Sequence, residues 1–377
     1  MGKKSKILII DDEPVIRRYL KDCMIDAGYN TIEAEDGFKG YDLAVREMPD
    51  LILLDINMPG RDGYETCKAI KEVESLRNIP IIFSTSICES SSIVECFRVG
   101  ASDYLMKPFE LVELLARVET HIKLKTQQEE VIRKNEIIAR ELEMASLFQQ
   151  SLLPNQFPVS CKTGCVARLI PAIQVAGDFY DFIDLGDGSV GIVIADVSGH
   201  GVCAAMIAAM LKIDFLAFST ADRMPADVLG MVNMHLCKIL KDGAFSTAFY
   251  GILNTKERTL SYSIAGHPPP LFYRDKGENI STFFHGGLPL GVLQEFRYEN
   301  REIPVHHLDR LLLYTDGVTE AVSEKKEIFS EERLMESFFR NIHRPVEEID
   351  RAIYDDITAF TGGNPIEDDL TMIIIEF

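Results

Sequence analysis

Short apolar runs that end in an acidic residue recur along this chain of 377 residues and limit the folds open to it. The run KILII is followed by Asp11, LILL by Asp55, and GIVIA by Asp196. Runs of this length are typical of buried strands, and ligands bind beyond the C-terminal ends of strands in open α/β sheets. The pattern therefore predicts layered α/β domains that present carboxylates at sheet edges.

The bulk composition excludes several classes of protein. With 46% hydrophobic and 26% charged residues, the chain has ordinary globular composition, and its length favours two or three domains. A net charge of −20 argues against a nucleic-acid partner, which would require clustered Lys and Arg. The apolar runs are too short to span a membrane, no signal peptide is evident, and the eight cysteines are scattered. We expect a cytoplasmic protein with reduced thiols and no membrane partner.

Residues 1–123 alternate strand-like apolar runs with amphipathic helical stretches. That alternation predicts a doubly wound parallel sheet with helices on both faces. Right-handed crossovers place all the strand ends at one edge. Asp12, Asp55, Thr85 and Lys107 stand at such ends and should lie close together.

Residues 124–153 read as one polar helix that links two domains. Leu124, Val131 and Ile138 begin a seven-residue repeat that continues at Ala145 and Leu152. This spacing predicts a coiled-coil seam and hence a homodimer, although a solvated helix packed on its own domain would give a similar sequence.

Residues 154–377 begin a further domain at Pro154, where proline ends the helix. Hairpin-like neighbours such as AFYGILNTKERTLSYSIAG alternate with helical segments such as CAAMIAAMLKIDFLAF. We expect antiparallel sheets with helices outside them, an α/β sandwich.

The first domain has the residues needed to accept a phosphoryl group. That reaction requires a nucleophilic carboxylate, a hard cation and an opposing fixed positive charge. Mg²⁺ is usually held by one or two carboxylates with water and phosphate, and Asp12, Asp55 and the main-chain carbonyl of Asn57 supply suitable oxygens. Lys107 offers the opposing charge, and Thr85 offers a hydroxyl to a phosphoryl oxygen.

Residues 5–123 resemble the receiver domain of two-component response regulators. The resemblance rests on DD at positions 11 and 12, LLDINMPGRDGYE, a threonine after PIIFS, and DYLMKPF, all in family order. It implies a flavodoxin-like fold, Mg²⁺ as cofactor and a sensor histidine kinase as partner. It also implies a phosphoacceptor (Asp55), an acid pocket (Asp11 and Asp12), switch residues (Thr85 and Tyr104) and a phosphate-sensing cation (Lys107).

A second set of carboxylates has the composition needed for phosphoester hydrolysis. Two divalent cations bridged by carboxylates can activate water and clamp a phosphoryl oxygen. Crowded carboxylates cannot all ionise without cations between them, and four aspartates would balance two dications. The set consists of Asp178 in AGDFYD, Asp196 in GIVIADVSGHG, Asp316 in LLLYTDG, and Asp368 with Asp369 in EDDLTMIII.

Residues 160–377 resemble the metal-dependent PPM phosphatases of serine and threonine phosphoproteins, in the bacterial branch that regulates sigma-factor partner switching. The resemblance rests on the GDFYD, ADVSGHG, TDG and DDLT series. It implies two Mn²⁺ or Mg²⁺ ions and an anti-sigma-factor antagonist as substrate. The implied ligands are Asp178, Asp196, the carbonyl of Val197, Asp316 and Asp368. We expect Asp369 to be a hydrogen-bond partner or a surface charge, and His200 to be either a proton donor to the leaving group or a turn histidine with a structural role.

Three interpretations follow from these motifs. The leading one is a response regulator whose phosphorylation controls a metal-dependent protein phosphatase. A second is a catalytically inactive phosphatase-like scaffold under receiver control, which retention of all four metal aspartates disfavours. A third keeps the enzyme but makes the receiver a degenerate dimerisation module, and intact Asp55, Thr85 and Lys107 argue against it.

Overall fold

The computed structural model describes residues 4–86, 90–154, 164–240, 243–277, 279–283 and 286–377. The chain divides into two compact units, Met1–Ile138 and Ala139–Phe377. Each unit is described by itself below. The domain limits at residues 123 and 153 stay predictions.

The first unit is built on a five-stranded parallel sheet with the strand order β2-β1-β3-β4-β5. This order and the helices on both faces confirm the predicted flavodoxin-like fold. The strands are β1 (Lys6–Ile10), β2 (Asn30–Ala34), β3 (Leu51–Asp55), β4 (Ile81–Thr85) and β5 (Asp103–Met106). The helices are α1 (Pro14–Asp26), α2 (Gly37–Glu47), α3 (Gly63–Glu72), α4 (Ser90–Arg98) and α5 (Leu111–Leu152).

The central strands of this sheet are apolar along their whole length because both faces are covered. On one face Leu8 and Ile52 belong to a core with Phe83, and on the other Ile7 and Leu53 belong to a second core. Continuous burial is typical of parallel strands between two helix layers. Packing on both faces fixes the sheet, and with it the edge at which the acidic residues lie.

Helix α5 is one uninterrupted element of 42 residues that begins in the first unit and ends in the second. The chain has no proline or glycine from Glu110 to Gln150, so nothing in the sequence breaks the helix. The side chains of Leu124, Val131 and Ile138 are 55%, 56% and 54% exposed. More than half of the surface of each of these apolar side chains is therefore left uncovered by the residues that the structure describes.

The second unit is a sandwich of two five-stranded antiparallel sheets. One sheet has the order β13-β10-β9-β8-β7, and the other has the order β12-β11-β14-β15-β6. The strands are β6 (Cys165–Ile170), β7 (Phe179–Gly186), β8 (Ser189–Val197), β9 (Ser246–Asn254), β10 (Thr259–Ala265), β11 (Leu271–Arg274), β12 (Asn279–Thr282), β13 (Arg301–Pro304), β14 (Arg310–Tyr314) and β15 (Leu370–Glu376).

Helices cover the outer faces of the two sheets, as the sequence predicts. Between the sheets lies a core that includes Ile192, Phe249, Leu311 and Ile373. The helices are α6 (Val202–Phe218), α7 (Pro225–Ile239), α8 (Asp316–Thr319), α9 (Ser330–Arg340) and α10 (Val346–Thr361). The first two pack on the β7–β10 side, and the last two pack on the β14–β15 side.

Membrane crossing calls for a helix that is both long and apolar, and the described part of the chain contains none.

Candidate phosphoacceptor and metal sites

The receiver site lies at the C-terminal ends of β1 and β3. One carboxylate oxygen each from Asp11, Asp12 and Asp55 lie within 4.8 Å of one another. The Lys107 Nζ atom lies 2.9 Å from Oδ1 of Asp55 and 3.0 Å from Oδ2 of Asp11. The parallel topology thus brings together three acidic residues and a lysine that are up to 96 positions apart.

Burial and hydrogen bonding shift the pKa values of Asp55 and Lys107 at this site. Burial raises the pKa of Asp55, and the hydrogen bond from Lys107 acts against that increase. Burial would lower the pKa of Lys107, but hydrogen bonds to Asp55 and Asp11 outweigh it and raise that pKa. A hard cation beside the three carboxylates would relieve their mutual repulsion.

The other predicted receiver residues are Thr85, Tyr104 and Asn57, which lie on strands β4 and β5 and in the loop after β3. Thr85 ends strand β4 and is buried, whereas Tyr104 stands on the neighbouring strand β5 and is partly exposed. The ring of Tyr104 lies 6.2 Å from the ring of Phe97 in helix α4. Asn57 is exposed in the loop after β3. The metal-ligand role of its carbonyl stays a prediction.

Asp178 is the most buried of the phosphatase carboxylates, at 1% exposure. Its Oδ2 atom accepts hydrogen bonds from Thr315 Oγ1 at 2.7 Å and from Thr371 Oγ1 at 2.6 Å. Its Oδ1 atom is buried and has no hydrogen-bond partner among the described residues. One oxygen is therefore fixed by protein hydroxyls, while the other has the character of a cation ligand.

The other candidate ligands interact electrostatically with Asp178 and with each other. Burial and the charges of Asp316 and Asp368 raise the pKa of Asp196 to about 7. Burial, followed by the charge of Asp196, raises the pKa of Asp178 well above its usual range. Divalent cations would relieve the mutual repulsion that these shifts record.

Asp369 holds the segment that leads to Asp178, and this distinguishes its role from that of Asp368. It accepts hydrogen bonds from the main-chain nitrogens of Ala172 at 2.8 Å and Gly177 at 2.5 Å. Asp369 is buried, whereas Asp368 is exposed. Asp368 is thus the member of the pair with an accessible carboxylate.

The glycine of the TDG motif is required by a close approach of two main-chain segments. A Cβ atom on Gly317 would lie 2.0 Å from the carbonyl oxygen of Asp369. Any larger residue would push the α8 segment, which begins at Asp316, away from the Asp368–Asp369 segment. This contact sets the positions of two candidate ligands relative to each other.

His200 and Val197 lie near the end of β8. His200 is exposed between two glycines with positive φ, and Val197 is 1% exposed. Their roles in the site stay predictions. His267 is buried, with its Nδ1 atom 2.9 Å from the Thr247 hydroxyl, and burial lowers its pKa to about 3. A neutral, buried histidine of this kind suits a structural role.

Sequence reasoning missed the two threonines that hold Asp178. Thr315 directly precedes Asp316, and Thr371 follows two residues after Asp369. A hydroxyl residue beside each of the two acidic motifs was the available signal. It could not be interpreted without knowing that β14 and β15 are neighbouring strands, paired from Arg310↔Glu376 to Tyr314↔Met372.

The fold and the two carboxylate groups define a receiver joined by a long helix to a phosphatase-type domain. Residues 7–119 match the family model of the response regulator receiver domain. Residues 186–377, just over half of the chain, match the family model of stage II sporulation protein E (SpoIIE). The chain therefore belongs to the stage II sporulation protein E family and carries a receiver domain at its N-terminal side.

Individual relatives support both the phosphatase-type domain and the receiver domain. The phosphoserine phosphatase RsbU of Bacillus subtilis is 27% identical over 268 residues, which are 71% of this chain and 79% of RsbU. Protein IcfG of Synechocystis is 30% identical over 263 residues, 62% of this chain and 41% of that protein. Sporulation initiation phosphotransferase F of Bacillus subtilis is 37% identical over 122 residues, 32% of this chain and 97% of that protein.

A solved structure supports the fold of the second unit. The SiaA-PP2C domain of Pseudomonas aeruginosa aligns with a TM-score of 0.59 and 23% identity. The alignment covers 65% of this chain and 98% of that domain. At this identity the likeness shows a shared fold.

Proposed function

We propose that this chain is a response regulator whose phosphorylation at Asp55 controls metal-dependent dephosphorylation of a phosphoserine or phosphothreonine protein. The observation that carries the proposal is the environment of Asp178. Its buried Oδ1 lacks a partner among the described residues, and its pKa is raised by burial and by the charge of Asp196. Divalent cations stabilise such a carboxylate group in its ionised form.

In the phosphatase unit, the proposed ligands are Asp178, Asp196, Asp316, Asp368 and the carbonyl of Val197. Divalent cations bound there would activate water and neutralise phosphoryl oxygens. The protein residues then have positioning roles. Thr315 and Thr371 orient Asp178, and Asp369 anchors the segment that leads to it.

In the receiver, the proposed nucleophile is a carboxylate oxygen of Asp55. Its bond to phosphorus forms while the bond between phosphorus and the donor breaks, with a histidine of a sensor kinase as the physiological donor. Lys107 lies on the side of Asp55 where it can pair with a phosphoryl oxygen, and Thr85 can donate its hydroxyl to another. Asp11, Asp12 and the Asn57 carbonyl would hold Mg²⁺, which neutralises the incoming oxygens.

The substrate proposal rests on relatives. RsbU bears the name phosphoserine phosphatase, and the partner-switching branch that the motifs resemble acts on anti-sigma-factor antagonists. We therefore propose such a phosphoprotein as the substrate, and the cytoplasm as the compartment. The six cysteines that the structure describes are free thiols, which agrees with a reducing compartment.

A direct test uses the full chain with a phosphoserine peptide and with p-nitrophenyl phosphate. Turnover should require Mn²⁺ or Mg²⁺, should stop with EDTA, and should fall by orders of magnitude in Asp196→Asn. Asp187→Asn is the matched control, because Asp187 is 97% exposed and remote from the carboxylate group. Full activity in EDTA would refute the metal-dependent mechanism, and metal binding without turnover by the wild type would favour the inactive scaffold.

A further inference from the structure

Asp196 lies on the inner face of its sheet, at one end of the core between the two sheets. Along β8 alternate residues up to Ile194 belong to that core, so Asp196 is the next residue on the same face. Along β9 the same alternation places Thr247 on the inner face, two residues before Phe249. Thr247 pairs directly with Asp196 across the two strands. Directly opposite side chains share a face with Cβ atoms about 4.5–5.5 Å apart, so Thr247 lies beside the Asp196 side chain.

Strand β9 also holds the main chain of Asp196. The hydroxyl of Ser246 donates a 2.7 Å hydrogen bond to the Asp196 carbonyl oxygen, and Ser246 is fully buried. The main chain of Ser246 is joined in turn to that of Leu290 by hydrogen bonds of 3.0 and 2.7 Å. Two consecutive residues of β9 therefore meet Asp196, one at its main chain and one beside its side chain.

The hydroxyl of Thr247 is held by His267, which follows β10 in the AGHPPP segment. The Nδ1 atom of His267 lies 2.9 Å from Oγ1 of Thr247. Either tautomer of a neutral imidazole can form this bond, because a hydroxyl can donate or accept. His267 is 2% exposed, and burial lowers its pKa to about 3, so the ring is neutral near pH 7. Thr247 cannot change its rotamer without breaking the bond to this buried ring.

Stability alone does not account for a histidine at position 267. Its Nε2 atom is buried and makes no well-formed hydrogen bond with the residues that the structure describes. A buried polar atom without a partner destabilises the fold, and an apolar side chain would avoid that loss. The hydrogen bond that the ring does make is directed at the residue beside Asp196. The effect of the histidine is therefore to be sought at Asp196.

We propose that His267 and Thr247 are positioning residues for Asp196: the buried imidazole fixes Thr247, and the fixed side chain of Thr247 limits the orientations of the Asp196 carboxylate. This inference rests on the proposed function, in which Asp196 binds a divalent cation. Replacing a residue that orients a metal ligand typically lowers metal affinity by about 10- to 100-fold. The two threonines that hold Asp178 have a comparable role through direct hydrogen bonds.

Mn²⁺ binding to the full chain, measured by titration calorimetry without substrate, tests the proposal. An Asp12→Asn parent lacks one proposed receiver ligand, so that the heat reports on the phosphatase centre. In this parent, Thr247→Val should weaken Mn²⁺ binding about tenfold, and Thr247→Ser should bind nearly as the parent does. Valine keeps the shape of threonine and suits a strand, so the melting temperature of Thr247→Val in EDTA should stay close to that of the parent. A merely structural role would instead lower that temperature.

Two amide variants of His267 form a matched pair. Asparagine places a polar atom near the position of Nδ1, whereas glutamine places one near the position of Nε2. His267→Asn should therefore keep most of the Mn²⁺ affinity, and His267→Gln should lose about tenfold. The double variant His267→Gln with Thr247→Val should bind no more weakly than Thr247→Val alone, because the imidazole acts through the threonine.

The outcomes separate this inference from the proposed function. If the parent binds Mn²⁺ and hydrolyses the phosphoserine peptide, parent-like Mn²⁺ affinity in Thr247→Val would overturn the inference alone. Equal affinity in His267→Asn and His267→Gln would do the same, because the position of the polar atom would then have no effect. A parent and a wild type that neither bind Mn²⁺ nor hydrolyse the peptide would overturn the proposed function together with the inference.

Discussion

Thr315 donates a 2.7 Å hydrogen bond to the same oxygen of Asp178 that Thr371 contacts, so one hydroxyl from each of two neighbouring segments holds one carboxylate atom. Thr371 lies two residues after Asp369 in the sequence, and Thr315 directly precedes Asp316. The segments that carry candidate ligands are thus tied to the most buried one. This arrangement makes the geometry of Asp178 depend on residues that would not themselves bind metal.

The first prediction concerns Thr371. Thr371→Val should raise the Mn²⁺ concentration needed for half-maximal phosphatase activity by about tenfold to a hundredfold, because a hydrogen bond to a charged group contributes about 1.5–3 kcal/mol. Thr371→Ser keeps the hydroxyl and should behave nearly as the wild type. Manganese titrations of initial rates measure both variants. Equal metal dependence in Thr371→Val and wild type would rule out the positioning role.

The second prediction separates the adjacent acids Asp368 and Asp369. Asp368→Asn should reduce metal affinity and turnover with little change in the melting temperature of the metal-free protein, because Asp368 is exposed. Asp369→Ala should lower that melting temperature, because it removes the acceptor for the Ala172 and Gly177 nitrogens. A buried donor left unpaired costs about 1–3 kcal/mol. Calorimetry of both variants in EDTA measures the melting temperatures, and rates in Mn²⁺ measure turnover. A lower melting temperature in Asp368→Asn and an unchanged one in Asp369→Ala would contradict this assignment of the two roles.

The third prediction concerns Asp55. Acetyl phosphate with Mg²⁺ should label the wild type, and the label should be lost in Asp55→Asn and released by hydroxylamine, to which acyl phosphates are labile. Intact-mass spectrometry measures the added phosphate. Label that persists in Asp55→Asn, or that resists hydroxylamine, would place the phosphoacceptor elsewhere.

The fourth prediction is that helix α5 mediates a homodimer. Leu124, Val131 and Ile138 are all more than half exposed in the single chain, and pairing them would bury apolar area worth about 25 cal/mol per Å². Light scattering should give a dimer for the wild type and a monomer for the double variant Val131→Asp with Ile138→Asp. Glu136→Gln, on the exposed part of the same helix, should stay dimeric. A monomeric wild type at micromolar concentration would reject the coiled-coil seam.

Much of the architecture was predictable because it depends on local patterns. Continuous apolar runs such as KILII and LILL predict the parallel strands β1 and β3, and hairpin-like neighbours predict β9 and β10. The absence of proline and glycine from Glu110 to Gln150 predicts that the last receiver helix continues directly into the linker, and α5 is one helix from Leu111 to Leu152.

Features that depend on distant residues could not be predicted in the same way. The hydrogen bonds to Asp178 depend on threonines 137 and 193 positions away. The pairing of these threonines with Asp178 is set by strand order and by packing between the sheets, which single-sequence patterns do not encode.

The continuous helix gives a physical route by which the receiver could influence the phosphatase. A phosphoryl group drawn toward Thr85 and Lys107 should shift the equilibrium of Tyr104 and of α5, and a helix without breaks can transmit a rotation or a change of pairing. Coupling of about 1–3 kcal/mol corresponds to a change of roughly 5- to 150-fold. We therefore predict a graded increase in phosphatase activity on receiver activation.

The most direct test of receiver control measures the rate of phosphoserine peptide hydrolysis by the full chain in Mn²⁺ with and without beryllofluoride, an acyl-phosphate mimic. We expect a faster rate with the mimic in the wild type, no response in Asp55→Asn, and a weakened response when two glycines are inserted after Lys134. A response that survives the glycines would exclude the helix as its carrier. Equal rates with and without beryllofluoride in an active wild-type enzyme would contradict the claim that the receiver controls the phosphatase.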